Sequence, residues 1–261
     1  KSHSRIGTAD RDAGHGGSEV TKHLMDLENS EYLSILPTSV IDISAQGKRK
    51  NEDHNSTSSR ANYSSFPVEI ATLCAEFYLR DAQLVFDPFA GWGERGAAIE
   101  KVGKRYIGYD ISTEAIQKAS KDYGILNTLA DSTTASIPTF DGLLTCPPYW
   151  NLETYENPNG IDRRKTWPAF LDSLFLVFSR CYDAALPNTT FCVMVGDWRK
   201  NHTYYPLEYE ICDMFDQLNT TVIDKVVVSR SKVSKIKIML PQAKRLGYSV
   251  RVHENLLVFR K

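Results

Sequence analysis

The stretch Phe86-Asp-Pro-Phe-Ala-Gly-Trp-Gly-Glu-Arg-Gly96 joins a short apolar run to a helical pattern. The run, residues 84–86, predicts a buried strand, and residues 91–102 predict a loop that leads into a helix. Glycine at positions 91 and 93 allows a bound ligand to approach the main chain closely. Ligands of open α/β sheets bind at the carboxyl ends of strands, which is where this turn lies. The stretch therefore predicts a ligand-binding turn in an α/β sheet.

Strands and helices alternate on both sides of this turn. The predicted strands are residues 84–86, 105–109, 127–130, 141–144, 191–195, 221–228 and 255–259, and the predicted helices are 67–80, 112–123, 167–185 and 209–218 in addition to the one after the glycines. The last two strands are separated by a basic loop, which suggests an antiparallel hairpin at one edge. Alternation of this kind predicts a doubly wound, mostly parallel, seven-stranded sheet with helices on both faces.

Composition narrows the class of protein. The chain has 261 residues, 42% of them hydrophobic, and a net charge of -1, so a nucleic-acid site has to be a local basic patch. Five scattered cysteines without a C-x-x-C pair favour a reducing, cytoplasmic setting and argue against disulfides and a zinc or other metal site. No apolar run reaches the roughly 18 residues of a membrane span, and no signal peptide is visible. The chain starts at Lys1, which suggests a larger parent chain.

The first 60 residues differ in character from the rest. Residues 1–30 are polar and indicate a flexible or partner-dependent leader, and residues 31–45 hold an apolar patch that we expect to dock on the main body. Regular periodicity begins near residue 64. We therefore predict a leader over residues 1–60 and a catalytic domain over residues 61–261.

Charge distinguishes two classes of ligand for the glycine turn. Gly91, Gly93 and Gly96 spell G-x-G-x-x-G, and Asp110 ends the next strand, which is the pattern of a dinucleotide site. Asp87 immediately before the glycines would oppose a pyrophosphate and favours a cationic ligand. S-adenosylmethionine carries a sulfonium and an ammonium group, and Asp110 could bind its ribose. The alternative is a glycine turn needed only for packing.

A second loop, Thr145-Cys-Pro-Pro-Tyr-Trp150, follows the fourth predicted strand. Proline lacks an N–H and restricts φ, and it also drives the preceding residue to extended geometry. The carbonyls of Cys146 and Pro147 are thereby aimed away from the sheet, beside the aromatic Tyr149. Two acceptors beside a ring suit a planar group that bears an amine. A strand-ending turn without a function is the alternative.

These motifs together resemble the amino-methyltransferases of DNA, which methylate adenine at N6 or cytosine at N4. The resemblance rests on the Asp87–Gly93 loop, on Gly108-Tyr-Asp110, on Thr145-Cys-Pro-Pro-Tyr149 and on Ser64-Ser-Phe-Pro67, which is similar to a further cofactor motif of that family. The tail, residues 253–260, is similar to the family's closing strand. The C-P-P-Y loop, followed by Asn151-Leu-Glu-Thr-Tyr155, looks most like that of phage and prophage members.

The resemblance implies S-adenosylmethionine as cofactor and duplex DNA with a flipped base as partner. It implies an acceptor site at the proline loop, where carbonyl groups hold the amine and Tyr149 stacks on the base. The implied catalytic residues are Cys146, Pro147, Pro148 and Tyr149, and the implied cofactor residues are Phe66, Pro67, Asp87, Phe89, Gly91, Gly93, Asp110, Ile111, Asp131 and Ser132. Asp131 and Ser132 would face the adenine amine of the cofactor, with a solvated turn as the alternative for Asp131.

Two features depart from the family pattern. Its proline loop usually opens with Asp, Asn or Ser, and Cys146 is a weaker hydrogen-bond acceptor than these. Many members also have a separate target-recognition domain, for which this chain has no room after residue 150. Asp197 could line the pocket, or it could pair with Arg199 at the surface.

Local basic segments are the candidate phosphate contacts. Residues 225–251 contain basic residues and no acidic ones until Glu254, and a second cluster follows the proline loop. The predicted nucleic-acid residues are Arg163, Arg164, Lys165, Lys232, Lys235, Lys237, Lys244 and Arg245, with residues 48–50 as a weaker candidate. Alternatives are a solvated loop for the first segment and, for the whole chain, a methyltransferase of RNA or of a protein amide, or a catalytically silent relative. Homodimerisation is a further option.

Overall fold

The computed structural model of the chain describes residues 37–43, 66–152, 157, 159–229 and 236–261. The strands within these ranges are β1 (Val40–Asp42), β2 (Leu84–Asp87), β3 (Arg105–Asp110), β4 (Thr128–Leu129), β5 (Phe140–Thr145), β6 (Ala185–Val195), β7 (Trp198–Lys200), β8 (Thr203–Tyr205), β9 (Thr221–Ser229) and β10 (His253–Arg260). The α-helices are α1 (Val68–Leu73), α2 (Glu94–Lys101), α3 (Thr113–Tyr123), α4 (Trp167–Ala184), α5 (Leu207–Gln217) and α6 (Ile236–Leu246).

Eight of these strands form one sheet in the order β1-β9-β10-β6-β5-β2-β3-β4. Every neighbouring pair is parallel except the two pairs that include β10. The predicted fold class, a doubly wound and mostly parallel sheet, is confirmed. The predicted number of seven strands is too low, because Val40–Asp42 pairs with β9 and adds an eighth.

The predicted antiparallel pair is present, but its position and its connection differ from the prediction. A helix, α6, lies in the segment predicted as a basic loop between β9 and β10. β10 lies inside the sheet, between β9 and β6, and β1 covers the outer side of β9. Six consecutive residues of β10 are buried, as expected of a strand whose two faces are both covered.

The sheet separates two apolar cores. Side chains of β6 alternate between them, so that Phe191 and Val193 pack on one face and Cys192 and Met194 on the other. The first core contains the apolar face of α4, and the second contains α1. A continuous apolar run in a central strand therefore reflects helices on both faces.

Local signals account for several helix boundaries. Ser112 caps α3, since its hydroxyl accepts a hydrogen bond from the Ala115 N–H, and Thr166 caps α4 in the same way through Ala169. The helix predicted over residues 67–80 is instead a short α1 followed by a π-helical turn, Cys74–Tyr78. The small β7–β8 hairpin has no counterpart among the predicted elements.

The strand order places a topological switch point at β2. From β2 the chain runs to β3 and β4 on one side, and it then returns to β5 on the other side of β2. Ligands of doubly wound sheets bind where the strand order reverses in this way, beyond the carboxyl ends of the strands. The glycine loop after β2 and the proline loop after β5 begin at this point.

Candidate functional site

One cavity in the described part of the chain lies between the loops that follow β2, β3, β4 and β5. Its wall combines the glycine loop, the end of β3 with the first residues after it, the turn after β4 and the proline loop. The lining residues that these segments contribute include Phe89, Gly91, Trp92, Glu94, Arg95, Asp110, Ile111, Ser112, Asp131, Ser132, Cys146, Pro147, Pro148 and Tyr149. The structure therefore brings the predicted glycine loop and the predicted proline loop to one cavity.

Asp87 does not line this cavity, contrary to the prediction that it faces the ligand. Its side chain is buried and forms an ion pair with Arg95, whose Nε lies 2.6 Å from the Asp87 carboxylate. Asp87 also accepts hydrogen bonds from the Thr145 hydroxyl at 2.6 Å and from the Phe89 N–H at 3.1 Å. The Asp87 side chain therefore connects the ends of β2 and β5 with the glycine loop, and it positions these segments without lining the cavity.

The buried ion pair changes the protonation behaviour of its neighbours. Burial, the largest single influence, lowers the pKa of Arg95, but the charge of Asp87 and its hydrogen bond, together with Cys146 and Tyr106, raise that pKa above its ordinary value. Tyr106 donates a 3.2 Å hydrogen bond to the same carboxylate. Burial, and then the charge of Asp87, raises the pKa of the Tyr106 phenol. Arg95 therefore stays charged and Tyr106 stays protonated at neutral pH.

The two glycines after β2 have different roles. Gly91 has a φ of +56° and lines the cavity, as predicted for a residue that lets a ligand approach the backbone. Gly93 does not line the cavity. It has a φ of +94°, and a Cβ there would lie 2.8 Å from the Ala119 Cβ of α3. Gly93 therefore serves the packing of α2 against α3, and its predicted contact with the ligand stays a prediction.

Asp110 lines the cavity and is held in place by two backbone donors. Its carboxylate accepts from the Gly91 N–H at 2.7 Å and from the Ser112 N–H at 2.8 Å. Burial raises the pKa of Asp110 above its ordinary value, although both backbone hydrogen bonds act in the opposite direction. A carboxylate has about four acceptor positions, so Asp110 can also accept from the hydroxyl groups of a ligand.

Of the remaining predicted cofactor residues, Pro67 does not line the cavity, and the others do: Phe66, Phe89, Ile111, Asp131 and Ser132. Phe66 lines the cavity, and its ring lies 5.0 Å from the Arg95 guanidinium, whereas Pro67 precedes α1 and does not line the cavity. Of the pair after β4, Asp131 accepts hydrogen bonds from the N–H and the hydroxyl of Thr133, and Ser132 donates to the Pro88 carbonyl at 2.8 Å. Both line the cavity.

The proline loop presents less aromatic surface than predicted. Cys146, Pro147 and Pro148 line the cavity. Tyr149 also lines it but is only 5% exposed, since its ring packs edge-on against Trp198 and its hydroxyl donates to Glu254 at 2.9 Å. Any stacking of a ligand on Tyr149 is therefore confined to the part of the ring that faces the cavity.

The chain after the proline loop returns to the cavity. The Trp150 indole donates to the Arg164 carbonyl at 2.7 Å and packs against Trp167. Asn157 donates from its side-chain amide to the Ile111 carbonyl at 2.8 Å, which connects this segment to the end of β3. Residues 151–155, predicted as an acidic-aromatic stretch, lie mostly outside the described residues.

Sequence reasoning did not identify several residues of the cavity wall. The most notable are Glu94, Asn157, Asp162 and Glu254. Glu94 stands directly after the Gly91-Trp-Gly93 motif, so its position in the loop was a usable signal. Asn157 and Asp162 follow the proline loop closely but belong to no recognised motif, and Glu254 comes from a distant segment that no sequence pattern links to either loop.

The cavity has an acidic wall. In the described part of the chain, five carboxylate side chains line it, and Arg95 is its one cationic side chain. The carboxylates are Glu94, Asp110, Asp131, Asp162 and Glu254. The charge of Arg95 is already matched by Asp87, and among the carboxylates Asp162 is paired with Arg163, so the wall remains acidic. Such a wall favours a cationic ligand over a pyrophosphate.

The predicted nucleic-acid residues vary in their surroundings. Arg163 and Arg164 are exposed and have local partners, since Arg163 lies 3.5 Å from the Asp162 carboxylate and Arg164 donates to the Ser173 hydroxyl. Lys165 is exposed beside them, and Lys244 and Arg245 are exposed in the last turn of α6. Lys237 lies in α6, but its side chain, all of Lys232 and Lys235, and residues 48–50 and 64–65 lie outside the described residues.

Three further predictions concern features away from the cavity wall. Asp197 does not line the cavity; it accepts hydrogen bonds from the Tyr204 hydroxyl and the Glu208 N–H. No cluster of His, Cys, Asp and Glu suited to a metal ion occurs among the described residues. Over those same residues, no helix combines the length and the apolar character needed to cross a membrane.

Comparison with solved structures shows that the fold is similar to those of two methyltransferases. N-methyltransferase NodS from Bradyrhizobium japonicum WM9 has a TM-score of 0.50 and 13% sequence identity, over 74% of this chain and 94% of its own. The 1,6-didemethyltoxoflavin-N1-methyltransferase of Burkholderia thailandensis, solved with S-adenosylhomocysteine, has a TM-score of 0.50 and 15% identity, over 74% of this chain and 77% of its own. At this identity the likeness concerns the fold alone.

Comparison of sequences gives a more specific similarity. Residues 21–121 match a protein family described as DNA methylase. The matched segment contains the glycine loop and Asp110, and it ends before the proline loop. No curated protein matches the chain.

Proposed function

We propose that this protein transfers a methyl group from S-adenosylmethionine to the exocyclic amine of adenine (N6) or cytosine (N4) in DNA. The observation that carries the proposal is the meeting of the glycine loop and the proline loop at one cavity. The match of residues 21–121 to the DNA methylase family supports the choice of DNA. We also retain duplex DNA with a flipped base, and a cytoplasmic location, as parts of this proposal.

The cavity wall fits S-adenosylmethionine. Its five carboxylates suit a ligand that carries a sulfonium and an ammonium group. Asp110, held by the Gly91 and Ser112 N–H groups, is oriented to accept from the ribose hydroxyls. Gly91 leaves space for the ligand at the main chain, and Asp131 and Ser132 bound the side where the adenine amine would lie.

When bound, S-adenosylmethionine would supply an activated methyl group, whose carbon–sulfur bond would break as the carbon–nitrogen bond to the amine formed. The carbonyls of Cys146 and Pro147 accept hydrogen bonds from the amine that receives the methyl group. These hydrogen bonds counter delocalisation of the nitrogen lone pair into the ring of the base. They also stabilise positive charge as it develops on nitrogen. The rest of the rate gain comes from holding the nitrogen in line with the methyl carbon. The product amine then releases one proton to solvent.

Basic side chains outside the cavity would contact DNA phosphates. Arg163, Arg164 and Lys165 follow Ile161 and Asp162, which line the cavity, so a strand that enters the cavity would pass these side chains. Lys244 and Arg245, with the basic residues of segment 230–237, form the second candidate contact. Each phosphate contact adds a salt-dependent increment to the affinity.

The test is nucleoside mass spectrometry of plasmid DNA from cells that express the chain, beside an Asp110→Ala control of verified folding. The expected result is a new N6-methyladenine or N4-methylcytosine peak that is absent in the control. A chain that binds S-adenosylmethionine but leaves DNA unmodified would contradict the proposal. Parallel assays with structured RNA and with protein acceptors would then identify the acceptor class.

A further inference from the structure

The last residue of the C-P-P-Y motif is hydrogen-bonded to the reversed strand of the sheet. The Tyr149 hydroxyl donates to Glu254 Oε1 at 2.9 Å, although the two residues lie 105 positions apart. Glu254 belongs to β10, which runs antiparallel to both neighbours. Both side chains are buried, at 5% and 8% exposure, and both line the cavity. Two segments distant in sequence, joined through one hydrogen bond, thus form the acceptor end of the cavity, the part beside the proline loop where the methyl-accepting amine would bind.

Neighbouring groups hold the Tyr149 ring from other directions. The Trp198 ring packs edge-on with centroids 5.4 Å apart, and the Arg251 guanidinium lies 6.0 Å from the Tyr149 centroid. Gly196 leaves room for this arrangement, since a Cβ there would lie 3.1 Å from the Glu254 Cγ. The ring has contacts at an edge and above a face, and within the described residues Glu254 is the hydrogen-bond partner of the hydroxyl.

The direction of the hydrogen bond is defined by the chemistry of the pair. Burial, followed by the charge of Glu254, raises the pKa of the Tyr149 phenol well above its ordinary value. The phenol therefore remains protonated at neutral pH and remains the donor, and the carboxylate is the acceptor. Loss of either group would remove the hydrogen bond at the hydroxyl end and leave the ring held by its contacts with Trp198 and Arg251.

We propose that Glu254 is a positioning residue that fixes the Tyr149 ring at the acceptor end of the cavity and thereby sets the affinity for a planar, amine-bearing base. The inference rests on the proposed function, because it assigns the acceptor side of the same site. Glu254 acts through Tyr149, and it affects binding of the base that accepts the methyl group and not binding of S-adenosylmethionine. A glutamine at position 254 keeps an acceptor oxygen in place and should preserve the arrangement.

Four variants separate this role from a general structural one. Tyr149→Phe removes the donor and keeps the ring, Glu254→Met removes the acceptor at similar volume, Glu254→Gln keeps the acceptor, and the fourth combines Tyr149→Phe with Glu254→Met. The measurements are KM for an oligonucleotide acceptor, kcat, the Kd of S-adenosylmethionine and the thermal midpoint of each variant. The midpoint needs no activity, so it reports on the hydrogen bond separately from the reaction.

Tyr149→Phe and Glu254→Met should each raise KM for the acceptor about tenfold, the effect of losing one hydrogen bond to a charged group. The combined variant should be no worse than either alone, because both changes break one interaction. Glu254→Gln should recover most of the lost affinity. The Kd of S-adenosylmethionine should stay within about twofold of the parent value, a margin small compared with one hydrogen bond.

Three outcomes would overturn the proposal. The first is that the double variant changes the thermal midpoint and KM by the sum of the changes in the two single variants. The second is a Glu254→Gln variant as impaired as Glu254→Met, since charge and not the hydrogen bond would then matter. The third is a loss confined to cofactor binding. The parent chain could also transfer no methyl group while the thermal midpoints of the single and double variants remain non-additive. The hydrogen bond would then be verified, but the proposed function would fail, and the role of Glu254 in binding the methyl acceptor would fail with it.

Discussion

The Arg95 guanidinium contacts the Asp87 carboxylate at 2.6 Å, and both side chains are buried beneath the glycine loop. Arg95 is the first residue after Glu94 in α2, and Asp87 is the last residue of β2. The pair therefore connects the strand to the helix, and of its two members only Arg95 also lines the cavity. The acidic groups that face the ligand are Asp110 and the other carboxylates of the cavity wall.

Removing one member of this pair should destabilise the fold severely. Arg95→Met or Asp87→Asn leaves an uncompensated buried charge, and we expect each to lower the free energy of unfolding by about 3–5 kcal/mol. The double variant should lose less than the sum of the two, because it buries no unpaired charge. Urea denaturation of the four proteins measures these quantities. Strictly additive losses would contradict the expected coupling.

Gly93 offers a test of packing between α2 and α3. Alanine there would adopt a φ of +94° and would place its Cβ 2.8 Å from the Ala119 Cβ. Gly103 has a φ of +79° but no heavy atom within 4 Å of an added Cβ, so Gly103→Ala is the matched control for backbone strain alone. We expect about 1–2 kcal/mol of destabilisation for Gly103→Ala and a further 1–3 kcal/mol, roughly, for Gly93→Ala. Equal losses in thermal denaturation would rule out the packing role of Gly93.

The raised pKa of Asp110 predicts how cofactor binding depends on pH. Burial raises this pKa above 3.8, so protonation on acidification occurs at a higher pH than for an exposed aspartate. The carboxylate form exists above the raised pKa, and binding through it is therefore present at neutral pH and lost as the pH falls through that value. For folding the sign is opposite, since a raised pKa favours the folded state only at low pH.

Calorimetric titration of S-adenosylmethionine between pH 7 and pH 4.5 measures this dependence. The parent chain should lose affinity on acidification, and Asp110→Asn, weaker throughout, should show a flatter profile over the same range. A variant whose profile keeps the slope of the parent would mean that another group of the cavity controls the pH dependence.

Cys146 provides a direct test of the proline loop. A serine hydroxyl accepts hydrogen bonds better than a thiol, so Cys146→Ser should retain or increase methyl transfer. Cys146→Ala removes the thiol, a weak acceptor, but keeps the backbone carbonyls, so we expect kcat to fall by only about two- to fivefold with an unchanged Kd for S-adenosylmethionine. Single-turnover methyl transfer beside cofactor titration measures both. Full activity of Cys146→Ala would show that the backbone carbonyls suffice.

Much of the fold could be predicted from local sequence patterns. Apolar runs separated by helical periods indicated the parallel sheet, and Ser112 marked the start of a helix because a capping hydroxyl acts on residues next to it. Gly91 and the two prolines also act on their own backbone, so local sequence suffices to indicate the glycine and proline loops. These features depend on interactions within a few residues.

The tertiary structure decided which distant residues meet. Asp87 was expected to face the ligand, but its carboxylate is taken up by Arg95, Thr145 and Tyr106 once β2 lies beside β5. Glu254 reaches the cavity only because β10 enters the sheet beside β6 in the reverse direction. Sequence spacing does not predict such neighbours, because strand order and burial depend on how the whole sheet packs against the helices on its two faces.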